Sequence, residues 1–131
     1  MANELILIVE DHEKNRKLVR DVLQFKGYRT IEAETGEMGL SLARESRPAL
    51  ILMDIQLPGM SGIDTLGHLR ADPTTRDIPV MAVTASAMTQ DRQKIMAAGF
   101  DAYQSKPIDV KGFLAAVAQM LGRGPRPEAG A

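Results

Sequence analysis

Five short apolar runs, each of strand length and each separated from the next by a longer amphipathic stretch, set the fold options for this chain. Leu5-Ile6-Leu7-Ile8-Val9 and Leu50-Ile51-Leu52-Met53 are apolar at every position. A strand without polar alternation is buried on both faces, which is the condition of a parallel sheet lying between helical layers. Tyr28–Ile31, Pro79–Val83 and Ala102–Ser105 complete the set of predicted strands.

The intervening segments read as helices. Leu18, Val19, Val22 and Leu23 recur at helical spacing, and Gly27 stands where a helix would close. Thr35 is predicted to cap a helix carrying Met38, Leu42 and Ala43, which ends at Arg47-Pro48 because the residue before proline disfavours the helical region. Pro58-Gly59 and Ser61-Gly62 punctuate a loop, and Ile63, Leu66 and Leu69 then mark a helix stopped by Asp72-Pro73. Asp91–Ala98, closed by Gly99, and Val110–Leu121 are the last two helices, the final one with Phe113, Leu114, Val117 and Leu121 on one face. Strand and helix alternating five times, with right-handed crossovers, predict a doubly wound (βα)5 three-layer α/β sandwich around a five-stranded parallel sheet. Residues 1–121 are read as one domain. Residues 122–131, half of them Gly or Pro, are read as a flexible C-terminal tail.

Composition narrows the function. The chain has 131 residues, a normal domain length, and 16 basic against 17 acidic residues give a net charge of -1, which argues against nucleic acid as a partner. With no Cys there is no disulfide framework, thiol nucleophile or thiolate zinc site. No apolar run approaches the ~20 residues that span a bilayer. The Met-Ala-Asn-Glu start lacks the basic region of a signal peptide. The expectation is a cytoplasmic protein without a membrane partner.

In sheets of this kind ligands bind beyond the carboxyl ends of the strands. The first strand ends in Glu10-Asp11, the third in Asp54, the fourth in Thr84 and the fifth in Ser105-Lys106-Pro107. Any one acid after a strand is an ordinary cap or turn former, but three carboxylates, a hydroxyl and an ammonium converge on one rim here. Two unit charges ~4 Å apart repel by roughly 4 kcal/mol at an effective dielectric of 20, so compensation is required. Lys106 supplies one positive charge and a divalent cation the rest. Oxygen donors without Cys or clustered His favour Mg²⁺ or a similar ion, Mn²⁺ included. Such a rim suits a phosphoryl group.

The other candidates read as bland. His12 is expected to be a solvated loop residue and His68 a surface residue. Lys14, Arg16, Lys17 and Arg20 are expected to form a solvated helix face beside the acids. The eight Met are mostly core filling, with Met60 and Met88 in loops near the rim.

Ile8-Val9-Glu10-Asp11, Leu52-Met53-Asp54-Ile55-Gln56-Leu57-Pro58-Gly59-Met60-Ser61-Gly62, Val83-Thr84-Ala85 and Tyr103-Gln104-Ser105-Lys106-Pro107 are individually short. In this order and spacing, from about Leu5 to Leu121, the chain resembles a response-regulator receiver domain of the flavodoxin-like, CheY-like superfamily, and among these the stand-alone type that regulates cell division. The resemblance implies strand order 2-1-3-4-5 and gives the residues roles. Asp54 matches the phosphoacceptor. Glu10 and Asp11 match the acid pair that holds Mg²⁺, with Asp54 and the Gln56 carbonyl completing the ligands. Thr84 and Lys106 match the groups that bind the phosphoryl oxygens, and Tyr103 the aromatic that switches rotamer with Thr84. The bond before Pro107 matches one that is cis in relatives. Many receivers carry two Asp where this chain has Glu10-Asp11. The implied partners are a histidine kinase or histidine phosphotransfer protein as donor and a protein target downstream. The implied activity is self-phosphorylation and slow autodephosphorylation with Mg²⁺, without the character of a metabolic enzyme. Two alternatives stand beside this reading. One is the receiver segment of a larger hybrid kinase, against which the starting Met and the degenerate tail are set. The other is a phosphohydrolase working through an aspartyl phosphate, against which stand Gln56 in place of a second Asp and a length that leaves no room for a substrate cap.

Overall fold

The computed structural model describes residues 3–84, 89–106 and 108–123. Five parallel strands, β1 (Leu5–Val9), β2 (Arg29–Ala33), β3 (Leu50–Asp54), β4 (Val80–Thr84) and β5 (Ala102–Ser105), form one sheet in the order β2-β1-β3-β4-β5. The helices α1 (Glu13–Phe25), α2 (Gly36–Ser46), α3 (Gly62–Ala71), α4 (Thr89–Ala97) and α5 (Val110–Arg123) connect them. Strand order reverses between β1 and β3, so the crevice of the fold lies where those two strands end.

Alternation along the strands divides the core into two layers. Leu7, Val9, Ile51, Met53, Val80 and Ala82 face one side and pack with Leu40 and Ala43 of α2, Leu66 and Leu69 of α3 and Ile95 of α4. Ile6, Ile8, Leu50, Leu52, Met81 and Val83 face the other, against Val19 and Leu23 of α1 and Phe113, Val117 and Met120 of α5. The unbroken apolar runs of β1 and β3 are thus explained, since every second side chain fills a different layer.

Caps set the helix limits. Thr35 Oγ1 accepts from the Met38 N–H at 3.1 Å, and Ser61 Oγ from the Asp64 N–H at 3.1 Å. Arg47 closes α2 as expected, but in the left-handed region at φ 46°, where its N–H still reaches the Ala43 carbonyl at 3.0 Å. A residue before proline ordinarily turns extended. Here a final carbonyl of the helix is satisfied instead.

Several boundaries differ from expectation. β4 is Val80–Thr84, one residue on from the predicted Pro79–Val83. β2 begins at Arg29 because pairing starts at Leu5↔Arg29, while Tyr28 packs into the α1/α5 layer. The helix α4 occupies Thr89–Ala97, one residue short of the predicted end, and Gly99 turns the chain at φ 112°. The helix α5 runs to Arg123, into the predicted tail, since Gly122 meets no obstruction and helix ends vary by a turn fraction. Residues 124–131 of that tail lie outside the described residues.

Two devices hold the lower and upper ends of the sheet. At the lower end the Arg70 guanidinium of α3 donates to the Ile78 carbonyl at 2.7 Å and to Asp101 Oδ2 at 2.8 Å, and that same oxygen accepts from the Val80 N–H at 2.8 Å. The start of β4 and the entry to β5 are thereby tied to one helix. At the upper end, α3 begins against the end of β3: the Gly62 N–H bonds to the Ile55 carbonyl at 3.0 Å, and a Cβ on Gly62 would strike the Asp54 carbonyl oxygen and come within 2.8 Å of Ile55 Cα. Glycine is required there by space.

Truncating Asp101 takes the charged acceptor from a partly buried guanidinium and the acceptor of the Val80 N–H together. Asp101→Ala is expected to lower stability by about 2–3 kcal/mol in urea titration. A loss below about 0.5 kcal/mol, the range of an ordinary surface change, would show that the tie is solvated and idle.

Candidate functional site

The rim of the sheet carries the convergent groups. Glu10 extends the β1 ladder by one bond, its N–H donating to the Ala33 carbonyl at 3.0 Å. Its own carbonyl accepts from Arg16 Nη1 at 3.0 Å, and its carboxylate Oε2 accepts from the His12 N–H at 3.2 Å. The acid turn is therefore fixed at both its backbone and its side chain. Asp54 ends β3 in a site only 4% exposed, with Oδ1 accepting from the Gln56 N–H at 3.1 Å. Thr84 ends β4, buried, and its carbonyl accepts from the Lys106 N–H at 2.8 Å just past β5. Lys106 turns inward from there. Its Nζ lies 2.5 Å from Glu10 Oε1 and 3.3 Å from Asp54 Oδ2.

Electrostatics follow from this packing. Burial first, then the neighbouring Glu10 carboxyl, pushes Asp54 up to about 6, although Lys106 and the Gln56 N–H pull the other way. Burial would also raise Glu10, but hydrogen bonds from Asp54, Lys106 and the His12 N–H outweigh it and hold Glu10 below its ordinary value. Burial would lower the Lys106 ammonium, and the two carboxylates more than reverse that, so it stays charged. One of the two acids holds its proton more tightly so that the other can pair with the lysine.

Glu10, Asp11, His12 and Asp54 each bring a ligand atom within 4.8 Å of the others. Asp11 Oδ1 is buried and accepts no hydrogen bond. An orphaned carboxylate oxygen beside two further carboxylates is a charge and bonding deficit of the kind a hard divalent cation fills. The cluster can bind a metal.

The sequence-predicted residues Glu10, Asp11, Asp54, Thr84 and Lys106 thus meet at one rim. Gln56 lies in the turn after β3 and contributes its N–H to Asp54. Tyr103 sits on β5 opposite Ala82, half-buried, with the Arg92 guanidinium 5.6 Å from its ring centre. Pro107, the cis-peptide candidate, and Met88 lie outside the described residues. Met60, in the loop after β3, is partly buried against the core.

Two residues carry more than their sequence suggests. Arg16, read as part of a solvated face, has a side chain only 12% exposed; its Nε donates to Glu32 Oε1 at 3.0 Å and its Nη2 to Glu34 Oε1 at 3.4 Å while it holds the Glu10 carbonyl. The sequence signal was the pair of glutamates at the end of an edge strand, which need a cation. Lys14 and Lys17 keep the solvated reading, and Arg20 bonds Glu32 as well. His12 is exposed, as expected, yet its ring Nδ1 is 3.3 Å from Asp11 Oδ1.

The raised Asp54 has a consequence for stability. Its folded-state value of about 6 lies above the ordinary 3.8, so the folded protein holds this proton more tightly than the unfolded chain does. The stability contributed by this group is complete below the unfolded value and is lost as pH rises through about 6. Asp54→Asn removes the loss. In chelator at pH 7.5 this variant is expected to exceed the wild type by about 1–2 kcal/mol, because the lowered Glu10 offsets part of the roughly 3 kcal/mol that the Asp54 rise represents. The advantage should shrink as pH falls toward 4. A variant less stable than wild type in thermal unfolding at pH 7.5 would contradict this account of Asp54.

Comparison with known proteins places this geometry. Residues 6–118 match the family model of the response regulator receiver domain. The chain is 50% identical over 117 residues, 89% of its own length and 95% of the relative's, to the polar-differentiation response regulator DivK of Brucella anthropi. It superposes with a TM-score of 0.85 on the receiver domain of a sensor histidine kinase from Pseudomonas aeruginosa, at 30% identity over 92% of this chain and 99% of that one, and that structure has a magnesium ion coordinated in its active-site cleft. A CheY-like receiver domain protein from Methanospirillum hungatei gives a TM-score of 0.84 at 28% identity over 93% of this chain and 96% of that one. On the match to that family model over most of its length and on its identity to these relatives, the chain belongs to the response regulator receiver domain family.

Proposed function

We propose that this receiver domain is a phosphorylation switch that takes a phosphoryl group onto Asp54 from a phosphohistidine of a histidine kinase or histidine phosphotransfer protein and thereby changes its affinity for a protein target. The observation that carries the reading is the Lys106 ammonium standing between Glu10 and the buried Asp54. An acid held this way at a strand end is shielded from water but open at the rim. Its pairing with Lys106 keeps a carboxylate available as nucleophile at neutral pH.

In the transfer, an Asp54 carboxylate oxygen forms the new bond to phosphorus while the bond from phosphorus to the donor's imidazole nitrogen breaks, and the electron pair leaves with the imidazole. Glu10, Asp11, Asp54 and the Gln56 carbonyl are the residues that would hold Mg²⁺, or Mn²⁺ in its place. When bound, the ion supplies positive charge to the oxygens of the transferring group. Lys106 pairs with one of those oxygens and Thr84 donates its hydroxyl to another. The Lys106 N–H bond to the Thr84 carbonyl keeps these two groups in register. Slow hydrolysis resets the switch: a water oxygen bonds to phosphorus as the bond from phosphorus to the Asp54 oxygen breaks, and the Asp54 carboxylate is restored, which is the work of a signalling switch and not of a metabolic enzyme.

Phosphate on Asp54 adds negative charge and acceptor oxygens at the rim. Thr84 moves toward them, and Tyr103, half-buried on the adjacent strand beneath Arg92, turns into the space beside β4. The surface of α4, β5 and α5 then differs between the two states and is read by the target. A bias of a few kcal/mol suffices when both states are already populated. Leu18, Phe25 and Val110 are exposed apolar residues along α1 and α5 below the rim, a surface of the kind that protein partners cover. No described helix is long and apolar enough to cross a membrane, and a cytoplasmic partner set fits this reading.

Asp54 is expected to be the sole acceptor. Incubation with acetyl phosphate and Mg²⁺ should add one phosphoryl mass to the wild type, with none on Asp54→Asn and none when chelator is present. Equal labelling of the variant would overturn the assignment. For the switch, affinity for the partner kinase should change on adding beryllofluoride, a phosphate mimic, in the wild type. Thr84→Ala and Tyr103→Ala should each lose most of that change. Full retention in both would dissolve the link from Thr84 to Tyr103.

A further inference from the structure

His12 is the N-cap residue of α1, but its side chain makes no capping bond. Ser, Thr, Asp or Asn at that position would satisfy a helix N–H; the imidazole does not. It is turned toward the acid cluster, with Nδ1 3.3 Å from Asp11 Oδ1 and 3.5 Å from Glu10 Oε2. Asp11 Oδ1 is the buried oxygen that accepts no hydrogen bond. Two donors that sit ~2.1 Å from one ion, in neighbouring tetrahedral or octahedral positions, lie about 3.0–3.4 Å apart. The separation of His12 Nδ1 from Asp11 Oδ1 is of that size. The His12 N–H bond to Glu10 Oε2 at 3.2 Å holds the backbone from which the ring projects.

We infer that His12 supplies a nitrogen ligand to the acid cluster, which makes this a mixed carboxylate–imidazole site for borderline first-row divalent ions, Zn²⁺, Co²⁺ or Ni²⁺, in addition to the hard ion of phosphoryl transfer. Imidazole suits these metals, whereas Mg²⁺ takes oxygen donors and keeps much of its water. The side chain is 69% exposed, so the ring can adjust to an ion without disturbing the core. His12 then acts as a selectivity element: it contributes to one class of ion and little to the other. This inference rests on the reading that the acid cluster is the metal site.

The test uses the full chain with Co²⁺, whose paramagnetism reports its own ligands, and with Mg²⁺ as the hard ion. The chain has two histidines, so His68→Gln assigns both sets of ring protons. On Co²⁺ addition the His12 ring protons should move far outside the diamagnetic range, while those of His68 on α3 stay in place. By titration calorimetry, His12→Ala and His12→Asn should each lose about tenfold or more in Co²⁺ affinity, as removal of even an outer partner costs that much. Mg²⁺ affinity should change far less, so that the ratio of the two falls by nearly the same factor. Unshifted His12 protons, or Co²⁺ affinity within about twofold of wild type in both variants, would overturn the inference while leaving an Asp11-dependent Mg²⁺ site intact. Mg²⁺ affinity unchanged in Asp11→Asn would instead overturn the reading of the metal site, and this inference with it.

Discussion

The Lys106 ammonium between Glu10 and Asp54 is the interaction on which the rim depends. Three acids cannot share the ends of adjacent strands without a counter-charge. The lysine comes from the far side of the sheet in sequence, and its backbone bond to Thr84 fixes its entry. The sheet order makes this possible. Because β1 and β3 are neighbours at the reversal point and β4 and β5 follow in turn, groups from four separate loops open onto one crevice. The same compression keeps Asp54 close to titration near neutral pH, so the site holds unfavourable charge in reserve for whatever binds there.

The core was legible where a strand is buried on both faces. In Ile6–Val9 of β1 and Leu50–Met53 of β3 every residue is apolar because each fills one of two helical layers. β2 was shifted because an edge strand is only partly buried, so Arg29, Thr30 and Glu32 carry no apolar signal and Tyr28, which does, packs below the ladder. The cap was legible at Thr35, whereas Ser61, read as loop punctuation, caps α3 in the same way, its side-chain oxygen meeting a local N–H. The end of α5 was not, since nothing in Gly122 or Arg123 stops a helix that has already paired its preceding turn.

At the site, residues that stand directly after strands were legible because strand ends point at the crevice. Arg16 was not, since its partners are the Glu10 carbonyl, Glu32 of β2 and Glu34 just past that strand, contacts that no spacing along α1 encodes. On a helix that also carries Lys14, Lys17 and Arg20, one inward arginine looks like its neighbours. His12 was read by exposure alone, which is correct for its burial and silent on its direction.

The ion pairs of Glu32 bear on more than the acid turn. β2 forms one open margin of the sheet, and its outer hydrogen-bonding groups are of the kind onto which another chain's strand can add. Arg29 is exposed there, and Glu32 is charged and tied to Arg16 and Arg20 on α1. A strand approaching this margin must displace solvated charge and break a bridge before it gains a single ladder bond. The margin is thus guarded against strand addition by the same contacts that steady the acid turn after β1.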